Sequence, residues 1–226
     1  MPYINRFVIL GVLLVSLSSY AQDNFESLGE SSFALDYKVS NNYSFISAAR
    51  TRYYLYKDSD LTIENRQIDL IHLSTLKLNY NHSLRLGLLY RFRDLFNDGS
   101  NELRFSQQFS YTKQNMALRF THTFSFEQRL FEDFTILRSR YRFGLDTPLS
   151  GEKLDVGESY LVVSMEALLS QSQKIKPEID HRTTAQIGWL LTERLKIQVG
   201  FEYRFEAFNI ETEEKLFVLT SASIKI

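Results

Sequence analysis

The 226-residue chain carries 26 Lys and Arg against 27 Asp and Glu, is 44% hydrophobic and 14% aromatic, and has three prolines and no cysteine. That balance excludes a disordered chain, a collagen, a disulfide scaffold, thiolate metal sites, a cysteine nucleophile and a lipid-modified terminal cysteine. Beyond residue 21 no apolar run approaches the roughly 18 to 20 residues that a membrane helix needs.

The N-terminus reads as an export signal. Arg6 precedes the apolar stretch Phe7 to Val15, a more polar Ser16 to Tyr20 follows, and Ser19 and Ala21 stand as small residues ahead of Gln22. This pattern predicts a cleavable signal peptide over 1–21, leaving 22–226 as one exported domain.

Past residue 30 the pattern has period two, and helix-type spacing is hard to find. Eleven strands are predicted: Ser32 to Val39, Tyr43 to Tyr56, Gln67 to Tyr80, Ser83 to Phe92, Glu102 to Thr112, Met116 to Leu130, Thr135 to Leu145, Ser159 to Leu169, Arg182 to Leu191, Leu195 to Glu206 and Leu216 to Ile226. In the fourth, Leu84, Leu86, Leu88, Tyr90 and Phe92 alternate with Arg85, Gly87, Leu89 and Arg91. In the sixth, Met116, Leu118, Phe120, Phe124, Phe126 and Leu130 alternate with Arg119, Thr121, Thr123, Ser125, Glu127 and Arg129. Brief turns at Asn41-Asn42, Asn81-His82, Lys113 to Asn115 and Thr192 to Arg194 interleave with longer polar loops at Lys57 to Arg66, Arg93 to Asn101, Gln171 to His181 and Ala207 to Lys215. Only Asp146 to Gly157 is long where a short turn is due.

The expected fold class is therefore all-β: an antiparallel up-and-down transmembrane β-barrel of ten to twelve strands. Bacterial barrels have even strand counts, so eleven segments point to ten or twelve. Either Ser32 to Val39 is misassigned or a weak strand is hidden around Phe25 to Glu30. A soluble sandwich with its apolar face inward also satisfies period two. Strands of ten or more residues, aromatic residues near strand ends and the export signal favour the barrel.

The charges all fall in the polar register, seventeen basic and nine acidic, a balance of +8 for a lumen. Its expected charge network comprises Arg138, Arg140, Arg142, Glu127, Arg129, Glu102 and Arg104. Arg138, Arg140 and Arg142 lie about 7 Å apart on one face of one strand and repel unless Glu127 or Glu158 pairs with them. The network is either structural or a basic stripe that guides anions through a narrow pore.

An ordered set of segments carries a family resemblance: Phe124 to Arg129, Arg138 to Arg142 with Pro148-Leu149 after it, Ile179 to Arg182, Gly188-Trp189 and Val199 to Tyr203, with Asn101 to Arg104 as a Glu-x-Arg strand. Together they resemble the domain-of-unknown-function family 2490. The resemblance implies an outer-membrane β-barrel of a Gram-negative bacterium, with no assigned activity or catalytic residues. It implies a location in the cell outer membrane, with the lipid bilayer, lipopolysaccharide and the outer-membrane assembly machinery as partners. Monomer and homo-oligomer both stay open.

Soluble enzyme motifs are absent: no phosphate-binding glycine loop, zinc-binding helix motif or Gly-x-Ser-x-Gly elbow occurs. His72 and Ser74 share one strand face, where a lipid hydrolase could place a base and a nucleophile, though no third member or oxyanion donor is evident. His122, between Phe120 and Phe124, reads as a tolerated surface imidazole. No cofactor, metal or nucleic-acid partner is expected. The functional expectation is a barrel of structural or interaction role and not an enzyme, with a narrow anion-preferring pore and an outer-membrane lipid hydrolase as alternatives.

Overall fold

The computed structural model describes residues 25–57, 60–93 and 100–226; the expected signal peptide lies outside them. Eleven strands close one barrel: β1 (Phe25–Lys38), β2 (Tyr43–Lys57), β3 (Asp60–Lys77), β4 (His82–Arg93), β5 (Glu102–Asn115), β6 (Leu118–Leu130), β7 (Thr135–Pro148), β8 (Ser159–Gln171), β9 (Glu178–Leu190), β10 (Leu195–Glu206) and β11 (Glu213–Lys225). Consecutive strands pair antiparallel, and β1 closes on β11. In an odd set of alternating strands the first and last run the same way, so that closing pair is parallel. It holds twelve matched positions from Phe25↔Glu214 to Asp36↔Lys225.

The barrel falls within the expected ten to twelve strands and matches the eleven segments; the even count argued from bacterial barrels does not hold, because the closing pair is parallel. The segment suspected around Phe25 to Glu30 and the strand at Ser32 to Val39 are one continuous β1. Its first half is a weak signal because Ser27, Gly29 and Ser31 give the outward face no apolar contrast. The loop expected over Lys57 to Arg66 also shrinks, since β3 begins at Asp60 and runs for 18 residues. The turn expected at Lys113 to Asn115 is displaced to Met116-Ala117, where Met116 has a left-handed φ of 52°.

One face of every strand is apolar and points outward. Phe33, Leu70, Leu86, Phe105, Phe124, Phe126, Leu137, Met165, Ile187, Val199 and Phe201 are all exposed on the outer wall, with Phe124 and Phe201 each 58% exposed. The sheet has closed around its polar face, which sets aside the sandwich reading. An aromatic ladder crosses the outside of β4 to β7, from His82 against Phe109 and Tyr111 to His122 against Tyr141 and Phe143.

The two rims differ. One, called here the turn rim, carries the C-terminus and three four-residue connections built alike. Ser40, Asn79 and Thr192 each offer a side-chain oxygen to the two backbone N–H groups that lie two and three residues on, at 2.9–3.3 Å. Such caps satisfy donors that the ladder leaves free and fix the hairpin register. Residues 149–158 form the one long connection at this rim. The opposite, loop rim carries the start of β1 and the β8–β9 and β10–β11 connections.

Asn79→Ala and Thr192→Ala should each lower stability by about 1 kcal/mol in denaturant titrations of the refolded barrel. Deleting Ile224 to Ile226 removes the partners of Leu195 and Leu35, together with the Ile226 N–H that donates to Asp36. That truncation should lose the heat-modifiable folded band on gels, and its retention would show that the seam is dispensable.

Candidate functional site

Period two places every alternate side chain in the lumen, and there the charges meet. Glu102 on β5 is 0% exposed and is reached by four guanidiniums: Arg129 and Arg104 at 2.7 Å, Arg93 at 3.1 Å and Arg91 at 3.4 Å. Asp69 on β3, also 0% exposed, receives Arg91 at 2.7 Å and Arg50 at 3.1 Å, with the Gln67 amide donating at 3.2 Å. Glu127 on β6 accepts from Arg140 at 2.6 Å and Arg104 at 3.5 Å. Glu30 on β1 takes Arg52 at 2.6 Å and Arg50 at 3.6 Å. A carboxylate in so dry a place is tolerable only because its lone pairs are filled by charged donors.

These pairs run from strand to strand around the whole circumference. From β1 to β7 the arc is tight, and Arg140 reaches Glu166 on β8 at 3.7 Å. It continues more loosely through Arg138 on β7 to Asp180 on β9 at 3.8 Å, Arg182 to Glu206 at 3.7 Å, Glu206 to Lys215 at 2.8 Å and Lys215 back to Glu26 on β1 at 3.9 Å. Arg182, in this loose arc, has an Nε with no hydrogen-bond partner. Aromatic faces hold some of the remaining cationic charge. Arg204 and Arg52 lie 3.8 and 5.4 Å from the centroid of the inward-facing Phe217, and Arg129 and Arg93 lie 5.4 and 5.6 Å from that of Phe131.

Five of the seven residues expected to form the network, Glu102, Arg104, Arg129, Glu127 and Arg140, do form one cluster. Arg138 turns away from it to Ser170, at 2.8 Å, and to Asp180. Arg142 meets Glu166 at 3.4 Å and Ser164 at 3.2 Å. Glu158, offered as a partner of this arginine run, instead accepts the Asp155 N–H in the long turn-rim connection, and Glu166 takes its place. Asp180 and Lys215 were read as loop residues, and Glu26 and Glu30 preceded the first expected strand. In these end segments the outward residues are polar, as at His181, Thr183 and Glu214, so period two carries no hydrophobic signal.

The circuit surrounds a cavity of about 660 Å³. Fourteen Arg and Lys side chains and eight carboxylates line it. With Asp69 and Glu102 sealed in the wall, the cationic excess falls to four, half the +8 read from the sequence. The difference comes mainly from Lys38, Lys77, Arg119, Lys196 and Lys225, which belong to the polar register but do not line the cavity, offset in part by Arg66 and Lys215.

The outward residues considered for lipid chemistry separate. His72 Nδ1 lies 3.1 Å from Ser47 Oγ, while the Ser74 hydroxyl donates to Tyr43 at 2.8 Å. His72 and Ser74 are not bonded to each other, and among the described residues no carboxylate hydrogen-bonds to His72. His122 Nδ1 lies 2.8 Å from the Tyr141 hydroxyl in the aromatic ladder.

A closed barrel with an apolar outer wall and an arginine-rich, ion-paired interior defines a β-barrel protein whose polar chemistry lies in its lumen. The sequence profile of the DUF2490 family of proteins of unknown function matches residues 31–214. The chain belongs to that family. No curated protein and no solved structure matches it.

Glu102→Gln keeps the shape of the hub but leaves four guanidiniums around a neutral amide. It should cost about 3–5 kcal/mol, as breaking a buried pair does. Asp146→Asn at the exposed Arg119 pair, with Arg119 54% exposed, should cost under about 1 kcal/mol. Denaturant titration of the two variants in detergent checks the contrast, and equal losses would count against Glu102 as a hub.

Proposed function

We propose that the chain is an outer-membrane β-barrel that acts as a narrow, anion-preferring pore. The exposed apolar wall supports the membrane setting, since a bilayer accepts a closed barrel whose backbone groups are all paired and whose charges face inward. The observation that carries the pore reading is the excess of cations over carboxylates around a cavity of about 660 Å³. Eleven strands give a lumen wider than the eight-stranded kind that side chains fill, and far narrower than an open porin. Fixed positive charge between low-dielectric walls concentrates anions and repels cations. Lipid bilayer and lipopolysaccharide contact the outer wall in this setting, and the outer-membrane assembly machinery inserts the barrel.

The circuit of ion pairs favours a second reading, in which side chains occlude the lumen and the barrel has a structural or interaction role. Planar-bilayer recording of the chain from residue 22 onward separates the two. The pore reading expects small conductance steps with an anion-selective reversal potential under a potassium chloride gradient. Replacing Arg138, Arg140 and Arg142 by Gln should weaken that selectivity, most at low salt where screening is least. Cation selectivity would overturn the reading, and absence of conductance in correctly folded protein would favour the occluded barrel.

A further inference from the structure

Between the circuit and the turn rim the lumen wall changes character. Arg85, three residues into β4, has no carboxylate within ion-pair distance among the described residues, and its Nε donates only to the Thr75 hydroxyl at 3.0 Å. Arg142 on β7 is 45% exposed into the lumen and shares its one carboxylate, Glu166, with Arg140.

The wall between these two arginines is neutral and polar. Pairing sets Arg85 beside Gln108, Gln108 beside Ser125, Ser110 beside Thr123 and Thr123 beside Arg142, so β5 and β6 form a floor of hydroxyls and one amide between two cations. Adjacent strands lie about 4.8 Å apart, and Arg142 stands two residues nearer the turn rim than Arg140, which shares the row of Arg85, so the arginine backbones are separated by about 16 Å of curved wall, a span that two long side chains can close over one small guest. Arg85, Arg142, Gln108, Thr123 and Ser125 all line the same cavity.

We propose that this patch is an oxyanion-binding station for the phosphate class, a phosphate ion or a phosphomonoester, with Arg85 and Arg142 as its two cationic jaws. It rests on the anion-pore reading and names the solute class of that same lumen. Guanidinium forks match the paired oxygens of a tetrahedral oxyanion, and hydroxyl and amide donors complete its shell, whereas chloride uses neither the fork nor the tetrahedral arrangement. The carboxylate-rich circuit lies on the loop-rim side, so the anion sits where cations lack tight partners.

Inorganic phosphate titrated by calorimetry into the refolded full-length mature barrel in detergent micelles tests the station without requiring current. The expected result is saturable binding, weakened about tenfold or more by Arg85→Gln and by Arg142→Gln. Arg119→Gln, whose arginine pairs with Asp146 at the turn-rim mouth, should keep binding within about twofold, because a screened exposed pair contributes little. Both test substitutions leave every carboxylate with another partner, and Arg85→Lys, which keeps the charge but not the fork, serves where the Gln variant does not fold. Absence of saturable phosphate binding to the folded wild-type protein, or binding that these substitutions leave unchanged, overturns the station. Anion-selective current without phosphate binding would do the same while leaving the pore reading in place.

Discussion

Two buried carboxylates, Asp69 and Glu102, set the terms for the rest of the barrel. Each is sealed from water and each must therefore be saturated by charged donors, which recruits Arg50 and Arg91 to one and Arg91, Arg93, Arg104 and Arg129 to the other. Arg91 and Arg104 bridge onward, and the pairing spreads until every strand is tied to another. Such a network adds less net stability than its number of contacts suggests, because desolvation offsets most of the attraction. Its effect is on specificity. A register slip of one residue would turn the whole charged set onto the apolar outer wall, which gives the barrel one permissible pairing.

Along the middle of the seam between β1 and β11 the ionic interior gives way to an apolar one. Its inward face is an apolar cluster of Leu28, Phe217 and Leu219 with Tyr54 packed against it, covered by the guanidiniums of Arg52 and Arg204. Parallel pairing is slightly weaker per residue than antiparallel, and here it forms the only closure of the cylinder. Apolar packing and cation–π contact therefore reinforce the joint where the ladder is least strong. Gly29, on the outward face of the same seam, lies beneath the ring of Tyr53, where a β-carbon would collide with it.

Much of this was legible in the sequence, for identifiable reasons. Period two in β4, β5 and β6 is carried by large apolar residues against charged ones, so both the strands and their lumen-facing sides could be read, and Glu102, Arg104, Glu127, Arg129 and Arg140 emerged as neighbours. Eleven strand segments are legible in the sequence, but the parallel closure that lets an odd number close leaves no local trace, and Ser27, Gly29 and Ser31 hide the start of β1 because they carry no apolar signal. Asp180 and Lys215 lie where strands extend past the apolar band, and with Glu26 they make up the loose arc that the pattern does not show, while the overestimated lumen charge comes mainly from basic residues near the turn rim that do not line the cavity. Arg85 was read as one more lumen cation. Its sole hydrogen-bond partner, the Thr75 hydroxyl, comes from the neighbouring strand, so its lack of an ion pair shows only in three dimensions.

In the proposed membrane setting the apolar register faces lipid, while the charged register faces the lumen. The chain has no native cysteine, so single cysteines can be placed along β6 without competing labels. Nitroxide labels at positions 123, 124, 125 and 126 in protein reconstituted into lipid vesicles should alternate in collision accessibility. Labels replacing the outward Phe124 and Phe126 should favour dissolved oxygen, and those replacing the inward Thr123 and Ser125 should favour a water-soluble nickel complex. Uniform contact with the nickel complex at all four positions, or the opposite alternation, would contradict the inward placement of the charges.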